Sequence, residues 1–538
     1  MDETASVEAA PVAGASETTP RDTIVLQPGS SYLRIGLATD PNPHLMRHII
    51  AYKLKTPPPA DNIQPVLLTE QSLDQSMEDS REAILSSMLQ ATKNYRSGAG
   101  VHTPTITANQ YLDPNAKVRP IISDQSTSIT WADLSNDPPF VIGEDTLYLP
   151  PGSCYTLFKP IKHGRLNVDN GLSLMGVANM LDVLWTKAIE DTLNIKKKRF
   201  KDFNIVLLIP DIVDRSHVKE MMNVLLLRMG FARATMHQES VCATFGAGLS
   251  SACVVDMGDE KTHICCVEDG ISNPNTRITL HYGGSDITRL FYWMIRKCNF
   301  PYRKFDPSDH LDELLIEDLK EGFCHLDLTS TGLKTLEFQV DKPYQPLAQF
   351  EFLLGDQVIL APMGIFFPEV FFLPEEQLMR GQHVLLPDSE DLWDEQHQIE
   401  AKVVKEEPMA TAKLQTVSKG KVLALDQAIH LSIDCASSLD VKKKLYGSVL
   451  VVGGGLSFPG ATQMLQQRLY SKLPPVFQRS SDAIEVCSNP KDLEPGMIAW
   501  KGAAVLSFLD TCEELWIKHE EWENSGVRLL RERVPFVW

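Results

Sequence analysis

The chain has 538 residues, of which 43% are hydrophobic and 22% are charged, a composition that is ordinary for globular proteins and excludes a mostly disordered chain. Its length is about three or four times that of a typical domain, so we expect more than one folding lobe. The 70 acidic residues outnumber the 51 basic ones and give a formal net charge of −19. This charge argues against a free-standing nucleic-acid binder, because such a protein needs a basic face.

The signals for cellular compartment favour the cytosol or the nucleus. No apolar run approaches the roughly 18 residues that a membrane span needs, so we expect no membrane association. Residues 1–20 are acidic and lack the basic region and the apolar core of a signal peptide. The 10 cysteines show no C-x-x-C spacing, so we expect reduced, mostly buried thiols rather than a zinc site or a disulfide framework.

In chain order, the first predicted elements are a tail and a strand–turn–strand unit. Residues 1–21 carry Pro, Ser, Thr and acidic residues without an apolar period, which predicts a disordered acidic tail. From residue 22 the pattern becomes strand-like, with a turn at 27–31. Residues 56–140 are polar and turn-rich, with a helix signal at 80–93, and we interpret them as an insertion.

The middle and the C-terminal part of the chain alternate between predicted strands and predicted helices. Apolar runs bounded by turn residues predict the strands, and apolar residues at helical spacing predict the helices. The predicted strands are 204–209 and 449–452, and the predicted helices are 216–229, 239–245, 285–298 and 461–469, followed by terminal helices rich in Trp and Leu.

Runs of like charge interrupt this alternation. The segment at about 376–420 is rich in acidic residues and has no apolar period, which predicts a solvated insertion loop. Lys405 within it lies in a four-residue pattern typical of sumoylation, and such patterns also arise by chance. The basic runs 196–201 and 442–444 either contact phosphates or nuclear import receptors, or are solvated helix ends.

An internal repeat is the most informative feature of the sequence. Two units, each an apolar strand, a polar residue, a glycine turn and a second strand, recur at a constant offset of 229 positions. Such a repeat predicts two related lobes that face each other. The aligned pairs are Val25 with Val254, Gln27 with Asp256, Gly29 with Gly258, Ser30 with Asp259, and Ile35 with Ile264.

Turns of this kind suit phosphate binding. A tight hairpin containing glycine lets backbone N–H groups point at a polyphosphate, and a carboxylate such as Asp256 or Asp259 can hold hydrated Mg²⁺ through its water shell. Each turn taken alone is equally consistent with an ordinary β-hairpin. A third unit follows the strand 449–452, where Gly453, Gly454 and Gly455 precede a helix, an arrangement that also favours nucleotides.

In this order, the three motifs resemble those of the actin superfamily, and the resemblance runs from about residue 22 to 538. The turn 27–31 resembles the first phosphate loop of that family, 256–259 the second, and 453–460 the adenosine motif. Longer runs, such as HQESVCATFGAGLSSACVVDMGD from His237, resemble actin-related proteins of chromatin-remodelling complexes. The resemblance implies an α/β protein with a two-lobed actin-like fold, made of duplicated ribonuclease-H-like α/β domains with polar and acidic insertions, closing on ATP.

The resemblance also implies domain boundaries and a nucleotide site. The first lobe spans 22–246 with its insertion at about 56–140, the second spans 247–497 with its acidic insertion at about 376–420, and C-terminal helices in 498–538 return to the first lobe. Asp256 is expected to hold a weakly organised Mg²⁺ through water. The implied nucleotide-binding residues are Gln27, Gly29, Ser30, Ser31, Asp256, Met257, Gly258, Asp259, Gly284, Lys320, Glu321, Gly453, Gly454, Gly455 and Phe458.

Departures from the family pattern argue against efficient catalysis. Gln27 replaces an acidic residue that organises the metal, and metal neutralisation is a large part of phosphoryl-transfer catalysis. Ser31 and Glu260 replace glycines and are expected to crowd the phosphates, whereas Gly496 removes a contact beside the adenine. Candidates for a role in water activation are Glu239 and His263. We therefore expect a non-enzyme with at most very slow ATP hydrolysis; the alternative is an active actin-like ATPase, filament-forming or kinase-like.

The expected partners also come from the resemblance. Phe245, Leu506, Leu509 and Leu515 match an apolar cleft that accepts an amphipathic helix in actin-like proteins, although leucines at helical spacing are also typical of a core. The implied partners are the helical segment of the ATPase subunit of an Ino-type remodeller, actin and another actin-related protein, and nucleosomal DNA and histones. The implied roles are transcription regulation, DNA repair and DNA recombination in the nucleus, by a chain that is a monomer on its own.

Overall fold

The computed structural model describes residues 23–54, 75–98, 115, 118–126, 129–330, 332–373, 422–477 and 484–536. The predicted acidic tail 1–21, Lys405 and the acidic insertion at about 376–420 lie outside the described residues. No helix in the described ranges has both the length and the apolar composition of a membrane span. All 10 cysteines are free, and only Cys154 and Cys487 are not buried, which confirms the predicted thiols.

Twenty strands occur in the described part of the chain, and most belong to two mixed sheets. In chain order the strands are β1 Thr23–Pro28, β2 Tyr32–Leu37, β3 His44–Arg47, β4 Ile50–Lys53, β5 Ile121–Ser126, β6 Phe140–Ile142, β7 Tyr155–Phe158, β8 Ile161–Lys162, β9 Arg165–Leu166, β10 Asn204–Ile209, β11 Arg233–Gln238, β12 Ala252–Met257, β13 Thr262–Glu268, β14 Ile271–Ser272, β15 Ile278–Leu280, β16 Lys334–Val340, β17 Pro346–Leu354, β18 Val449–Val452, β19 Val486–Cys487 and β20 Ile517–Lys518.

The α-helices of the described residues cover the faces of these sheets. In chain order they are α1 Gln75–Gly98, α2 Leu174–Thr192, α3 Arg215–Asn223, α4 Glu239–Ala247, α5 Gly284–Lys297, α6 His310–Phe323, α7 Gln357–Met363, α8 Leu425–Asp434, α9 Leu439–Tyr446, α10 Ala461–Ser471, α11 Ile498–Leu506, α12 His519–Ser525 and α13 Arg528–Arg533.

The two main sheets repeat one topology. The first has the order β20-β11-β10-β1-β2-β3, with β1 antiparallel to β2 and parallel to β10. The second has the order β14-β13-β12-β18-β19, with β12 antiparallel to β13 and parallel to β18. β1 and β12 are both six residues long and begin 229 positions apart, at Thr23 and Ala252. The internal repeat therefore marks the same hairpin in two related lobes.

Alternation along the central strands divides the interior into three cores. Ile24 and Leu26 of β1 lie in the core of the first lobe, and Val255 of β12 lies in that of the second. Val25 and Val254 point to the opposite faces and meet helices α4 and α11 in a third core, which lies between the lobes. Both sheets are thus buried on two faces, as expected for sheets containing parallel strands.

Strand and helix predictions hold well in these cores. The strands at 204–209 and 449–452 have the predicted bounds. The predicted helix 216–229 is wrong in detail: α3 ends at Asn223 and continues as a π-helix, Val224–Met229, which Gly230 stops with a φ of 80°. A π-helix shares the apolar run of an α-helix, so periodicity does not distinguish the two.

The first insertion contains more regular structure than its polar, turn-rich sequence indicates. The predicted helix signal at 80–93 lies within the 24-residue helix α1, and strand β5 was not predicted. Although it leaves the first lobe after β4, the buried Met88 of α1 lies in the core of the second lobe. β5 pairs with β17 of the second lobe. The insertion therefore connects the two lobes.

The C-terminal part also connects the lobes. α11 packs in the core between them, where the Trp500 Nε1–H donates to the Val25 carbonyl at 3.1 Å. β20 then adds to the first sheet, antiparallel to β11. The described residues after α11 thus return to the core of the first lobe.

Candidate functional site

A cleft with a volume of about 180 Å³, partly open to solvent, lies between the lobes. It is lined where β1, β10, β12 and β18 reach their carboxyl ends, the place where open α/β sheets bind ligands. Its lining includes both repeated hairpins and the glycine turn after β18. The three motifs that the sequence analysis singled out therefore come together in one cleft.

The first hairpin is a tight turn with a buried support. The Gly29 N–H donates to the Tyr32 carbonyl at 2.9 Å. His48 is fully buried behind the turn, where its Nε2 accepts from the Trp185 Nε1–H at 3.1 Å. Its Nδ1–H therefore donates to the Gly29 carbonyl, at 2.7 Å. Burial lowers the pKa of His48 to about 4, so the ring that holds the loop is neutral.

The second hairpin is held by the start of helix α5. The Gly284 and Ser285 N–H groups donate to the carbonyls of Gly258 and Asp259, at 3.0 and 2.8 Å. A Cβ at Gly283 would lie 2.4 Å from the Asp259 carbonyl oxygen, so only glycine allows this approach. These two hydrogen bonds hold the second hairpin at the start of α5, where Gly258 and Asp259 line the cleft.

The third element approaches the second hairpin closely through its backbone. Gly453 has a φ of +85°, and a Cβ there would lie 2.3 Å from the Met257 carbonyl oxygen. The Gly455 N–H donates to that same carbonyl at 2.8 Å. Glycine is therefore required at 453 and 455, because the ends of β12 and β18 approach closely there.

Four charged side chains meet in the deep part of the cleft. The Lys261 Nζ lies 3.3 Å from the Glu239 Oε2, and these side chains are 14% and 11% exposed. Burial lowers the pKa of Lys261, but Glu239 and Asp256 outweigh it and the net pKa is raised. Burial and the Glu239 charge raise the pKa of Asp256 to about 7. Arg34 is the second cation near these two carboxylates.

This set of residues does not fit a divalent cation held by Asp256. Arg34 and Lys261 lie beside Asp256 and Glu239, so these four side chains together offer a metal no net negative charge. Gln27 offers an amide where the family has an acidic residue, and its Nε2 donates to the Glu239 Oε1 at 3.3 Å. The expectation of an Mg²⁺ on Asp256 is therefore at odds with the donor set.

Thirteen of the fifteen predicted nucleotide-binding residues line the cleft. Met257 and Phe458 are absent from its lining. Strand alternation turns the Met257 side chain away from the face of Asp256, into the core of the second lobe. Phe458 is half-buried and packs against the same core. The nucleotide-binding roles of Met257 and Phe458 stay predictions.

The two catalytic candidates lie in different surroundings. Glu239 lines the cleft at the start of α4, with both oxygens engaged by Gln27 and Lys261. His263 is absent from the lining and is buried, with Nδ1 2.9 Å from the Thr279 Oγ1 and Nε2 3.5 Å from the Asp211 Oδ2. Burial lowers the pKa of His263 to about 4.

The two residues expected to crowd the phosphates behave differently from that expectation. The Ser31 hydroxyl donates to the Asp259 carboxylate and so links the two hairpins. The Glu260 Oε2 accepts from the His163 N–H at 2.9 Å, which turns its side chain toward the β8–β9 hairpin. Gly496 adjoins Arg34, whose Nη2 would lie 2.8 Å from a Cβ there. A longer residue at 496 would displace this guanidinium.

Sequence reasoning missed several residues of the cleft. Arg34, Arg47, Lys261 and Glu317 all line it, and the Arg47 Nη2 joins the Glu317 Oε2 across the lobes at 3.0 Å. Lys261 lies in the repeat itself, two positions after Asp259, so the spacing of the hairpin was the available signal. The direction of the Lys261 side chain depends on Glu239 and Gly164 of the other lobe, and the sequence around Lys261 carries no information about them.

The predicted apolar partner cleft is only partly exposed. Leu506 is 4% exposed and belongs to the core between the lobes, whereas Leu509 is 39% exposed. Phe245 and Leu515 are half-buried against that core. Val505, in the last turn of α11, and Phe508 are each 46% exposed, so the exposed apolar side chains lie at the end of α11.

Comparison with known proteins supports what this geometry indicates. The family model described as actin matches residues 18–535. The chain belongs to the actin family. The predicted α/β, two-lobed actin-like fold is therefore confirmed.

Individual members of the actin family are similar over nearly the whole chain. Actin-related protein 8 from Bos taurus and from Homo sapiens are each 39% identical, over 96% of this chain and 92% of their own length. A solved structure titled human actin-related protein Arp8 in its ATP-bound state has a TM-score of 0.86 at 41% identity. The aligned region covers 98% of this chain and 100% of the chain in that solved structure.

Proposed function

We propose that this chain is a nuclear, ATP-binding scaffold subunit of an Ino-type chromatin-remodelling complex. The observation that carries the proposal is the cleft in which two glycine hairpins and a glycine turn from both lobes converge. Such backbone-rich surroundings suit a polyphosphate. The similarity to a protein solved in an ATP-bound state supports ATP as the nucleotide.

The proposed role is binding rather than turnover. Gln27 lacks the charge that organises a metal, and the contacts of both Glu239 oxygens with Gln27 and Lys261 compete with the positioning of a water. A carboxylate at the cleft, Glu239, is the observation that favours the alternative, an active actin-like ATPase. Its contacts with Gln27 and Lys261 are the reason that we expect at most very slow hydrolysis.

We further propose that the exposed apolar residues at the C-terminal end of α11 dock an amphipathic helix of the remodeller's ATPase subunit. Val505, Phe508 and Leu509 are the exposed apolar side chains at this helix end. An amphipathic helix buries its apolar face on such a surface. Actin, another actin-related protein, histones and nucleosomal DNA are the further proposed partners, with roles in transcription, repair and recombination.

ATP binding is tested directly on purified protein. Bound nucleotide is extracted and analysed by chromatography, and the unfolding midpoint of nucleotide-free protein is measured with added ATP. Ligand at 100 times its Kd should stabilise the fold by about 2.7 kcal/mol. Absence of both extracted nucleotide and a thermal shift would refute the proposal.

Turnover is tested by phosphate release from ATP. We expect wild-type release at or below the slow rate of monomeric actin. Gln27→Asp, which restores the family's acidic residue, should raise the rate if the missing charge limits it. Brisk release by the wild type that disappears in Asp256→Ala would instead establish the active ATPase.

Helix docking is tested with Leu509→Asp, which places an unpaired charge in an apolar interface. Pull-down with the remodeller's helical segment should be abolished, whereas the thermal shift with ATP should persist. Leu45→Asp is the matched control, because Leu45 is 55% exposed on the edge strand β3. Undiminished docking by folded Leu509→Asp would exclude this surface as the interface.

A further inference from the structure

The deep cleft contains a cation that belongs to the protein itself. Lys261 extends from the second hairpin, on the second lobe, toward Glu239 of α4 on the other side of the cleft. Its ammonium lies near Asp256, Glu239 and Gln27 in the cleft, beside the two glycine hairpins. A lysine at this point is a fixed positive charge in the phosphate region.

The β8–β9 hairpin leaves room for the Lys261 side chain. Gly164, in the turn of the β8–β9 hairpin, has a φ of +75°. A Cβ there would lie 2.8 Å from the Lys261 Cδ and 3.0 Å from its Nζ. The absence of a side chain at Gly164 therefore leaves the channel through which the lysine chain passes.

The neighbouring charges favour a monovalent cation of this kind over a divalent one. Arg34 and Lys261 lie beside Asp256 and Glu239 and would repel a divalent cation there, and Asp259 accepts the Ser31 hydroxyl. A nucleoside triphosphate brings its own negative charge into the cleft. The lysine ammonium carries three donors, so it can bond a phosphate oxygen as well as Glu239.

We propose that Lys261 takes the place of the divalent cation as the positive partner of the terminal phosphates, so that ATP binding by this chain does not require Mg²⁺. This inference rests on the proposed ATP-binding function and specifies how that site binds its ligand. Lys261 is a binding residue in this scheme, and Gly164 positions it. No bond is made or broken.

The test is calorimetric titration of nucleotide-free protein with ATP, with excess Mg²⁺ and with EDTA. The wild-type Kd should change less than threefold between the two conditions. Lys261→Met should weaken binding in EDTA at least tenfold, because a charge-assisted bond is lost and Glu239 is left unpaired. Mg²⁺ should then restore part of the affinity of Lys261→Met, a metal dependence that a merely structural lysine would not create.

Two further variants separate charge from folding. Lys162→Met removes a lysine on the adjacent hairpin strand, where its ion pair with Asp169 is 42% and 55% exposed, and it should bind like the wild type in both conditions. Lys261→Arg keeps the charge and should keep binding in EDTA within about threefold. If Lys261→Met does not fold, a wild-type Kd unchanged by EDTA and a metal-independent Lys261→Arg still support the inference.

The outcomes also separate this inference from the proposed function. A wild-type protein whose ATP binding weakens tenfold or more in EDTA overturns the inference while ATP binding itself stands. Unchanged binding by folded Lys261→Met in EDTA also overturns it. Absence of binding under every condition would refute the ATP-binding function, and the inference with it.

Discussion

His48 shows how one buried side chain sets the shape of a binding loop. It accepts from Trp185 and donates to the Gly29 carbonyl, so both ring nitrogens are used only when the ring is neutral. The imidazole thus holds the Gly29 carbonyl of the first hairpin from the buried side of the turn. A histidine 19 residues from the loop carries no local signal of this role.

This arrangement predicts acid sensitivity of the fold. The pKa of His48 is about 4 in the folded protein and about 6.5 when exposed, so the neutral ring contributes stability above pH 6.5 that is lost as the pH falls toward 4. His48→Gln removes this titration. The free-energy gap between wild type and variant, measured by urea unfolding, should narrow by about 2 kcal/mol from pH 7 to pH 5. A gap that is independent of pH would contradict this assignment.

At the scale of elements, the crossing of α4 and α11 determines how closely the two lobes approach. A Cβ at Gly502 would lie 1.7 Å from the Cys242 carbonyl oxygen, and one at Gly246 would lie 2.1 Å from that of Ile498. The helix backbones are therefore in direct contact. This crossing lies in the core between the lobes, so its geometry also fixes the walls of the cleft.

Gly502→Ala should therefore be strongly destabilising. The added methyl group cannot be accommodated unless the helices separate, and we expect a loss of about 3 kcal/mol in urea unfolding. Gly322→Ala is the matched control, since nothing lies within 4 Å of a Cβ at that position of α6. The control should be neutral or stabilising by up to about 1 kcal/mol. Equal stability of the two variants would show that the helix contact is not tight.

Local patterns predicted the elements better than their surroundings. The strand at 449–452 and the glycines after it were predictable, because apolar runs and glycine turns are properties of neighbouring residues. The direction of Lys261 was not, because it depends on Gly164 and Glu239 in the other lobe. The continuation of α3 as a π-helix was also beyond a pattern that registers only apolar spacing.

At the scale of the whole molecule, the first insertion acts as a clasp, by which we mean α1 and β5 together. Arg81 of α1 donates to the Val370 carbonyl at 3.2 Å and stacks on Trp293 and Phe372, 5.1 Å from each ring centroid. Arg81 and Val370 are 289 positions apart. The composition of this segment indicates only that it is polar. The packing of α1 on the second lobe depends on residues that are far away in the sequence.

The clasp predicts local rather than global loss of structure when Arg81 is removed. Arg81 is 3% exposed, so Arg81→Ala deletes a buried hydrogen bond and two cation–π contacts, which together contribute roughly 2 kcal/mol to the docking of α1. Hydrogen exchange across 75–98 should accelerate by about tenfold or more, while exchange in β1 and β12 should not change. Glu82→Ala is the control on the same helix, because its 3.5 Å pair with Lys297 is 59% exposed on the glutamate side and should contribute under about 0.5 kcal/mol. Unchanged exchange across 75–98 in folded Arg81→Ala would show that Arg81 does not hold the clasp, whereas faster exchange throughout both sheets would show that the clasp supports the entire fold.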